Sequence, residues 1–151
     1  MTLKNKKGFT LIELLAVIVI LAIIIIIAMP SVLNSMEKAR KRAFVIESNT
    51  AIRSAQSAYA ESTTAGDNWC ISIEDLIDGG HYTKANTGYK GKVTIEFNSA
   101  NPYKAIVTVW LTNGTFHIIG QTADQTGADN AAETIIKSGA GEWQSDFATC
   151  S

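Results

Sequence analysis

The most prominent pattern in the sequence is a long apolar segment close to the N-terminus. From Leu14 to Met29 no polar side chain interrupts the run, whereas the rest of the chain is polar and rich in Thr, Asn and Gly, with scattered aromatic residues. A helix from Leu11 to Leu33 would extend about 34 Å, which is enough to cross a hydrocarbon layer of about 30 Å. The pattern therefore predicts a membrane-spanning helix.

Two residues make this segment unusual for a simple membrane anchor. Glu13 places an ionisable group at the edge of the apolar run, where its desolvation is costly unless it has a partner. Pro30 has no amide hydrogen for the carbonyl group of Ile26, so we expect a kink or local melting of the helix there. The end of the run, Ala28 to Val32, also lacks the small-x-small site at which an ordinary signal peptide is cut. An ordinary, removed signal peptide is therefore disfavoured.

Beyond Pro30 the pattern predicts that the helix resumes, from about Ser31 to about Glu61. Apolar and small residues recur at steps of three and four, which gives a helix one moderately apolar face; they are Phe44, Ser48, Ile52, Ala55 and Tyr59. We expect this face to pack against a sheet and the basic cluster Lys38–Arg42 to be solvated.

The second half of the chain predicts a small antiparallel sheet. Three segments alternate in polarity or are rich in β-branched residues, namely Lys92–Phe97, Ala105–Leu111 and Thr115–Ile119. Asn113-Gly114 is the signal for a type I′ turn between the last two strands. The predicted fold class is α+β, with a long N-terminal α-helix, its apolar half protruding, packed on a small antiparallel β-sheet.

Shorter elements are predicted on both sides of these strands. The hydroxyl group of Ser72 can cap a short helix, which Gly79 and Gly80 would end. A short helix at Ala131–Lys137 and an extended segment from Glu142 to Cys150 complete the predicted elements.

The charge distribution argues against one class of partner. The net charge is −1, but basic residues flank the apolar run and acidic residues dominate from Glu61 onward. An acidic surface is a poor electrostatic match for the phosphate backbone of nucleic acids. We therefore expect no nucleic-acid binding by the C-terminal part of the chain.

Side chains with reactive chemistry are few and scattered. The sequence has no nucleophile motif, phosphate-binding loop or zinc-site spacing, so it predicts no enzyme, no cofactor and no metal site. His81 and His117 are the two histidines, and we expect His117 to be a half-exposed strand residue. Cys70 and Cys150 can form a disulfide in an oxidising compartment or remain two free thiols.

The start of the chain contains the residues Lys6-Lys7-Gly8-Phe9-Thr10-Leu11-Ile12-Glu13-Leu14-Leu15, followed by the apolar run to Pro30. This order of features resembles the class III signal of type IV prepilins and pseudopilins. The resemblance implies that a membrane aspartic prepilin peptidase cleaves between Gly8 and Phe9, that Phe9 is then N-methylated, and that the apolar helix is kept. Lys6 and Lys7 would hold the leader at the anionic cytoplasmic face. Gly8, without a side chain, would let the backbone enter a tight protease site.

The resemblance also divides the chain and assigns roles in assembly. It implies a cleaved leader of residues 1–8, a transmembrane and filament-core helix of residues 9–33, an amphipathic helix of residues 34–62 and a globular α/β head of residues 63–151. Phe9, Glu13 and Pro30 belong to the helix that assembles. The carboxylate of Glu13 would pair with the Phe9 amino group of a neighbouring subunit, because either charge left alone in an apolar core is costly.

The function implied is that of a structural subunit of a type IV pilus, a homo-oligomeric helical filament that supports adhesion, motility or aggregation. Its partners would be prepilin peptidase, the pilus assembly platform and minor pilins. The subunit would lie in the cytoplasmic (inner) membrane before assembly and in an extracellular filament afterwards. Charge alone leaves the orientation open, because Lys38–Arg42 balances the leader lysines; the orientation follows from the resemblance.

Two other interpretations of the sequence stay open. A pseudopilin of a type II secretion or DNA-uptake system has the same N-terminal features. A membrane-anchored enzyme or ligand-binding module is a different class, and it would be favoured if the mature chain still began at Met1.

Overall fold

The computed structural model describes residues 9–62, 67–83, 88–98, 101–126, 136–138 and 150. Its helices and strands follow in the order α1 (Leu11–Glu61), β1 (Trp69–Ser72), α2 (Ile73–Asp78), β2 (Lys90–Asn98), β3 (Asn101–Thr112), β4 (Phe116–Thr122), α3 (Ala123–Thr126) and β5 (Lys137–Ser138). The chain divides into two compact units, Met1–Glu37 and Lys38–Ser151. A long N-terminal helix packed on a small antiparallel sheet confirms the predicted α+β fold.

The first unit contains, among its described residues, the N-terminal part of α1. Its large apolar side chains are exposed from Phe9 to Met36. Exposing a large aliphatic side chain to water costs about 1.5–3 kcal/mol compared with burying it. By length and composition α1 could cross a membrane. This surface therefore requires lipid or other apolar helices around it.

Helix α1 continues through Pro30 without interruption. Of the kink or local melting predicted at this residue, melting does not occur, and the predicted end of the helix near Glu61 is confirmed. Proline removes one donor from the helix, but the turns on both sides keep their own hydrogen bonds. Because helix propagation is cooperative, one missing bond within a long helix does not end it.

The second unit is built on a five-stranded antiparallel sheet in the order β1-β2-β3-β4-β5. In its register Cys70 lies opposite Thr94, and Val93 lies opposite Val109. Strands β2, β3 and β4 confirm the three predicted strands and are longer or shifted by a few residues at their ends. Strands β1 and β5, at the two edges of the sheet, were not predicted.

The core of the second unit lies between α1 and one face of the sheet. The predicted apolar face of α1 is confirmed, since Phe44, Ser48, Ile52 and Ala55 are buried and Tyr59 packs against the core. The buried residues that complete this core from the strands and α2 include Ile73, Leu76, Val93, Val109, Leu111 and Ile118. The Ser48 hydroxyl donates a hydrogen bond of 2.7 Å to the Val45 carbonyl, so its burial leaves no donor unpaired.

The short helix α2 begins and ends as its sequence predicts. The Ser72 hydroxyl oxygen accepts a hydrogen bond of 3.0 Å from the Asp75 amide, which satisfies one of the free donors of the first turn. Gly79 occupies the C-cap position, and Gly80 adopts a positive φ of 78°. After it, the buried Tyr82 side chain donates its hydroxyl hydrogen to Glu47 on α1.

Two details of the β3–β4 hairpin differ from the sequence predictions. Gly114 has a positive φ of 84°, but no described residue other than glycine does, so the predicted type I′ turn was wrong. The Asn113 side-chain oxygen instead accepts from the Thr115 and Phe116 amides and closes the turn. The half-exposed position predicted for His117 was also wrong, because the residue is buried and pairs with Lys137 of β5.

The C-terminal predictions fall largely outside the described residues. Lys137 lies in strand β5 rather than in the predicted helix, whose residues 131–135 are outside the described part. Of the predicted extended segment, only Cys150 is described.

Candidate functional site

The first turn of α1 contains a reciprocal hydrogen-bonded pair, Thr10 and Glu13. The Glu13 Oε2 atom accepts from the Thr10 amide at 2.9 Å and from the Thr10 hydroxyl at 2.7 Å. In return the Glu13 amide donates to the Thr10 hydroxyl oxygen at 3.4 Å and to the Thr10 carbonyl at 3.1 Å. This is a capping box, which satisfies donors that the helix itself leaves free.

The capping box gives Glu13 a role within its own chain that the sequence analysis missed. The signal was present, because Thr10-Leu11-Ile12-Glu13 has the S/T-x-x-E spacing ahead of an apolar run. Both hydrogen bonds to the carboxylate use Oε2, and among the described residues Oε1 has no hydrogen-bond partner. A carboxylate can accept up to about four hydrogen bonds. Capping and pairing with an external amine are therefore chemically compatible.

Phe9 directly precedes the capping threonine and is 81% exposed. The other residues predicted to take part in processing, Lys6, Lys7 and Gly8, lie outside the described residues. The structure thus positions Glu13 and Phe9 at the start of one helix. Cleavage after Gly8, methylation of Phe9 and the role of Pro30 in assembly stay predictions.

The surface next to the capping box is apolar over many turns. Ile26 and Ile27, one turn before Pro30, are among its most exposed side chains. The polar side chains that follow bond to their own helix, since the Ser35 hydroxyl donates to the Ser31 carbonyl at 2.9 Å. Such a surface can bind only apolar partners, and Glu13 is its one acidic side chain before Glu37.

The second unit contains a disulfide between Cys70 of β1 and Cys150, with a Cα–Cα distance of 5.6 Å. It ties the first strand of the sheet to the penultimate residue of the chain. Among the two alternatives that the sequence left open, the structure contains the bridge.

Apart from this bridge, the described part of the second unit contains few side chains that could bind a metal ion or react. No group of three or more His, Cys, Asp or Glu residues there could hold a metal ion. His81 lies 3.9 Å from the Glu61 carboxylate, and the His117 Nδ1 atom lies 2.8 Å from the Thr112 hydroxyl. Each histidine therefore has a local partner that accounts for its position.

Comparison with known families decides the nature of the N-terminal segment. Residues 3–29 match the model of the prokaryotic N-terminal methylation motif. The chain carries the class III signal of type IV pilins and pseudopilins. The matched residues include Gly8, Phe9 and Glu13, whereas the whole second unit lies outside the match. No curated protein and no solved structure matches the chain.

The motif and the fold together support a member of the type IV pilin or pseudopilin family, a family of structural proteins. They fit insertion of the apolar helix into a membrane before assembly. The match is common to pilins and pseudopilins and does not separate them.

Proposed function

We propose that this protein is a structural subunit of a type IV pilus. Prepilin peptidase cleaves it after Gly8, and the mature chain, which begins with methylated Phe9, assembles through α1 into a homo-oligomeric filament outside the cell. The observation that carries the proposal is the methylation motif at residues 3–29, continuous with an apolar helix whose surface is uncovered. The assembly platform and minor pilins are the partners that this function requires.

The proposed assembly transfers α1 from lipid to a filament core made of other copies of α1. Lipid tails are as apolar as leucine, so this transfer gains little hydrophobic free energy. Register between subunits must then come from shape and from the few polar groups of the helix. Glu13 is suited to this role, because its Oε1 atom is free to accept from a Phe9 amino group of a neighbouring subunit while Oε2 caps the helix.

The two roles of Glu13 can be separated by a matched pair of variants. Glu13→Gln keeps an oxygen that can cap the helix but removes the charge, whereas Thr10→Ala removes the cap and keeps the charge. Loss of one partner of a buried ion pair costs about 3–5 kcal/mol, which corresponds to more than about a hundredfold in an equilibrium constant. We therefore expect Glu13→Gln to be cleaved normally but to enter filaments poorly, and Thr10→Ala to assemble.

N-terminal sequencing and mass spectrometry of the mature protein test the processing step directly. We expect a chain that starts at N-methylated Phe9. A mature chain that starts at Met1 would contradict the proposed function. Assembly of Glu13→Gln at the wild-type level would restrict Glu13 to its capping role.

The phenotype of a deletion strain distinguishes a pilus subunit from a pseudopilin. Loss of long surface fibres supports the pilus. A defect in protein secretion or DNA uptake, in a strain whose parent has no such fibres, supports a pseudopilin.

A further inference from the structure

The turn between β3 and β4 contains the residues Asn113-Gly114-Thr115. Asn followed by any residue except proline, and then by Ser or Thr, is the acceptor triplet for N-linked glycans. The sequence contains this triplet only at Asn113. A match of three residues arises easily by chance, so the use that the fold makes of each polar atom decides whether the triplet can serve as an acceptor.

The triplet lies at an open tip of the sheet. Gly114 and Thr115 are exposed and Asn113 is half-buried, whereas the next residue, Phe116, is buried in the core. A Cβ atom added to Gly114 would meet no atom of the described residues within 4 Å. An enzyme can therefore reach this surface turn while the sheet stays folded.

Only one end of the Asn113 side-chain amide is used by the fold. Its Oδ1 atom accepts from the Thr115 amide at 3.0 Å and from the Phe116 amide at 2.8 Å. Two N–H donors require an acceptor, so the oxygen occupies this side and Nδ2 is directed away from it. Nδ2 has no hydrogen-bond partner among the described residues. The atom to which an N-linked glycan attaches is thus the one that the turn leaves free.

Thr115 is used by the fold in the same partial way. Its backbone amide closes the turn, but its hydroxyl group makes no hydrogen bond within the part of the chain that the structure describes. Every residue except proline has such an amide, whereas the hydroxyl group is what the triplet requires at this position. The turn therefore accounts for Asn113 Oδ1 and leaves the two groups that define the acceptor triplet unused.

The second unit also indicates the compartment in which it folds. The disulfide between Cys70 and Cys150 belongs to an oxidising environment outside the cytoplasm. N-linked glycans are added to surface turns of secreted proteins. The location of the second unit and the chemistry of its β3–β4 turn are thus consistent with each other.

We propose that Asn113 Nδ2 is the attachment site of an N-linked glycan. The nitrogen attacks the anomeric carbon of a glycan carried on a lipid pyrophosphate, and the new C–N bond replaces the bond from that carbon to the pyrophosphate oxygen. The proton that Nδ2 loses passes through the transferase to the leaving pyrophosphate, and no atom is oxidised or reduced. The inference rests on the proposed function only for the export of the second unit. It adds that the tip of this hairpin faces solvent in the filament, since a glycan is bulky and hydrophilic.

Mass spectrometry of the mature protein tests the site, with subunits taken from membranes and from filaments sheared off the native host. Trypsin releases the triplet within the peptide of residues 105–137, and fragmentation locates an added mass on one residue. We expect a form of the wild-type peptide that is heavier by the mass of an oligosaccharide on Asn113. This measurement needs no variant, so it is decisive even if a substitution prevents folding.

Three variants separate the acceptor triplet from the turn. Asn113→Asp keeps an oxygen that can accept from both amides but removes the nitrogen, and Thr115→Val removes the hydroxyl group but keeps the amide and the β-branched shape. Both should accumulate like the wild type and lose the heavier peptide completely. Thr115→Ser keeps the hydroxyl group and should keep the glycan.

Three results would contradict this assignment. A wild-type peptide found only in the unmodified form would do so, and together with a processed N-terminus and surface fibres it would leave the proposed function intact. A glycan that persists in Asn113→Asp would place the modification on another residue, such as Thr115. A glycan that persists in Thr115→Val would show that the triplet is not what the transferase recognises. A mature chain that starts at Met1 would overturn the proposed function, whereas a glycan on Asn113 of that chain would still support the site.

Discussion

The disulfide between Cys70 and Cys150 is expected to supply a large share of the stability of the second unit. The two cysteines are 80 residues apart in sequence. Closing a loop of that length lowers the entropy of the unfolded chain by an amount equivalent to about 4.5 kcal/mol at 25 °C. Single domains have free energies of unfolding of about 5–15 kcal/mol. We therefore expect Cys70→Ser to remove about 3–5 kcal/mol from the free energy of unfolding.

The position of the bridge in the sheet supports a loss of unfolding free energy at the upper end of this range. Cys70 lies in β1, a strand of four residues that pairs, among the described residues, with β2 alone. A strand this short has few backbone hydrogen bonds of its own, and the bridge from Cys70 to Cys150 is its covalent cross-link. Without the bridge, β1 is held on the sheet by non-covalent contacts alone.

Guanidinium titration of the full chain in detergent micelles measures this loss through tryptophan fluorescence. Trp69 is adjacent to Cys70, and its ring lies 5.6 Å from that of Tyr59 on α1, so its emission should report separation of β1 from the helix. Cys150→Ser and the double variant provide the controls, because each breaks the same bond and should show the same loss. A reductant should lower the stability of the wild type alone.

Two results would refute this reasoning. One is a loss of less than about 1 kcal/mol in Cys70→Ser, since a closed loop of this length cannot act so weakly on the chain-entropy model. The other is the detection of two reactive thiols in the unfolded wild type before any reductant is added.

Four further substitutions in the second unit have expected costs in the free energy of unfolding, measured by the same titration. Gly91→Ala should cost more than about 3 kcal/mol, because a Cβ atom there would lie 1.9 Å from the Trp110 carbonyl oxygen and the φ angle is +148°. Gly80→Ala, with open space around it, should cost only about 1–2 kcal/mol. Equal losses in the two variants would contradict the predicted clash at Gly91. Ser72→Ala removes the cap of α2 and should cost about 1 kcal/mol, with Ser72→Thr as the conservative control. Leu76→Ala empties a fully buried position and should cost about 2–5 kcal/mol, so a neutral result would place Leu76 outside the core.

The features that sequence analysis predicted correctly depend on neighbouring residues. The cap of α2 is a contact between residues three apart, and the buried face of α1 follows from steps of three and four. Strand β1 was missed because Trp69–Ser72 is too short to show alternation, and its pairing with β2 joins segments about twenty residues apart. His117 is buried where β5 pairs with β4, and no local pattern indicates this pairing.

The candidate site was accessible to sequence analysis for the same reason. The residues predicted to take part in processing and Glu13 lie within one short segment, and the methylation motif covers residues 3–29. What the sequence analysis lacked was the competing local role of Glu13 as a partner of Thr10. Melting at Pro30, one of the two alternatives expected there, does not occur because helix formation is cooperative along the long helix around it.

The order of the strands in space is the same as their order along the chain. Each strand can therefore pair with the one made just before it, and sheets with such local connections fold faster than those built from distant segments. The link from Cys70 to Cys150 is different, because it joins residues that are 80 apart in sequence and can close only after Cys150 has been made. We expect this oxidation to come late in the folding of the second unit, so that a free Cys70 thiol marks a chain that has not finished folding.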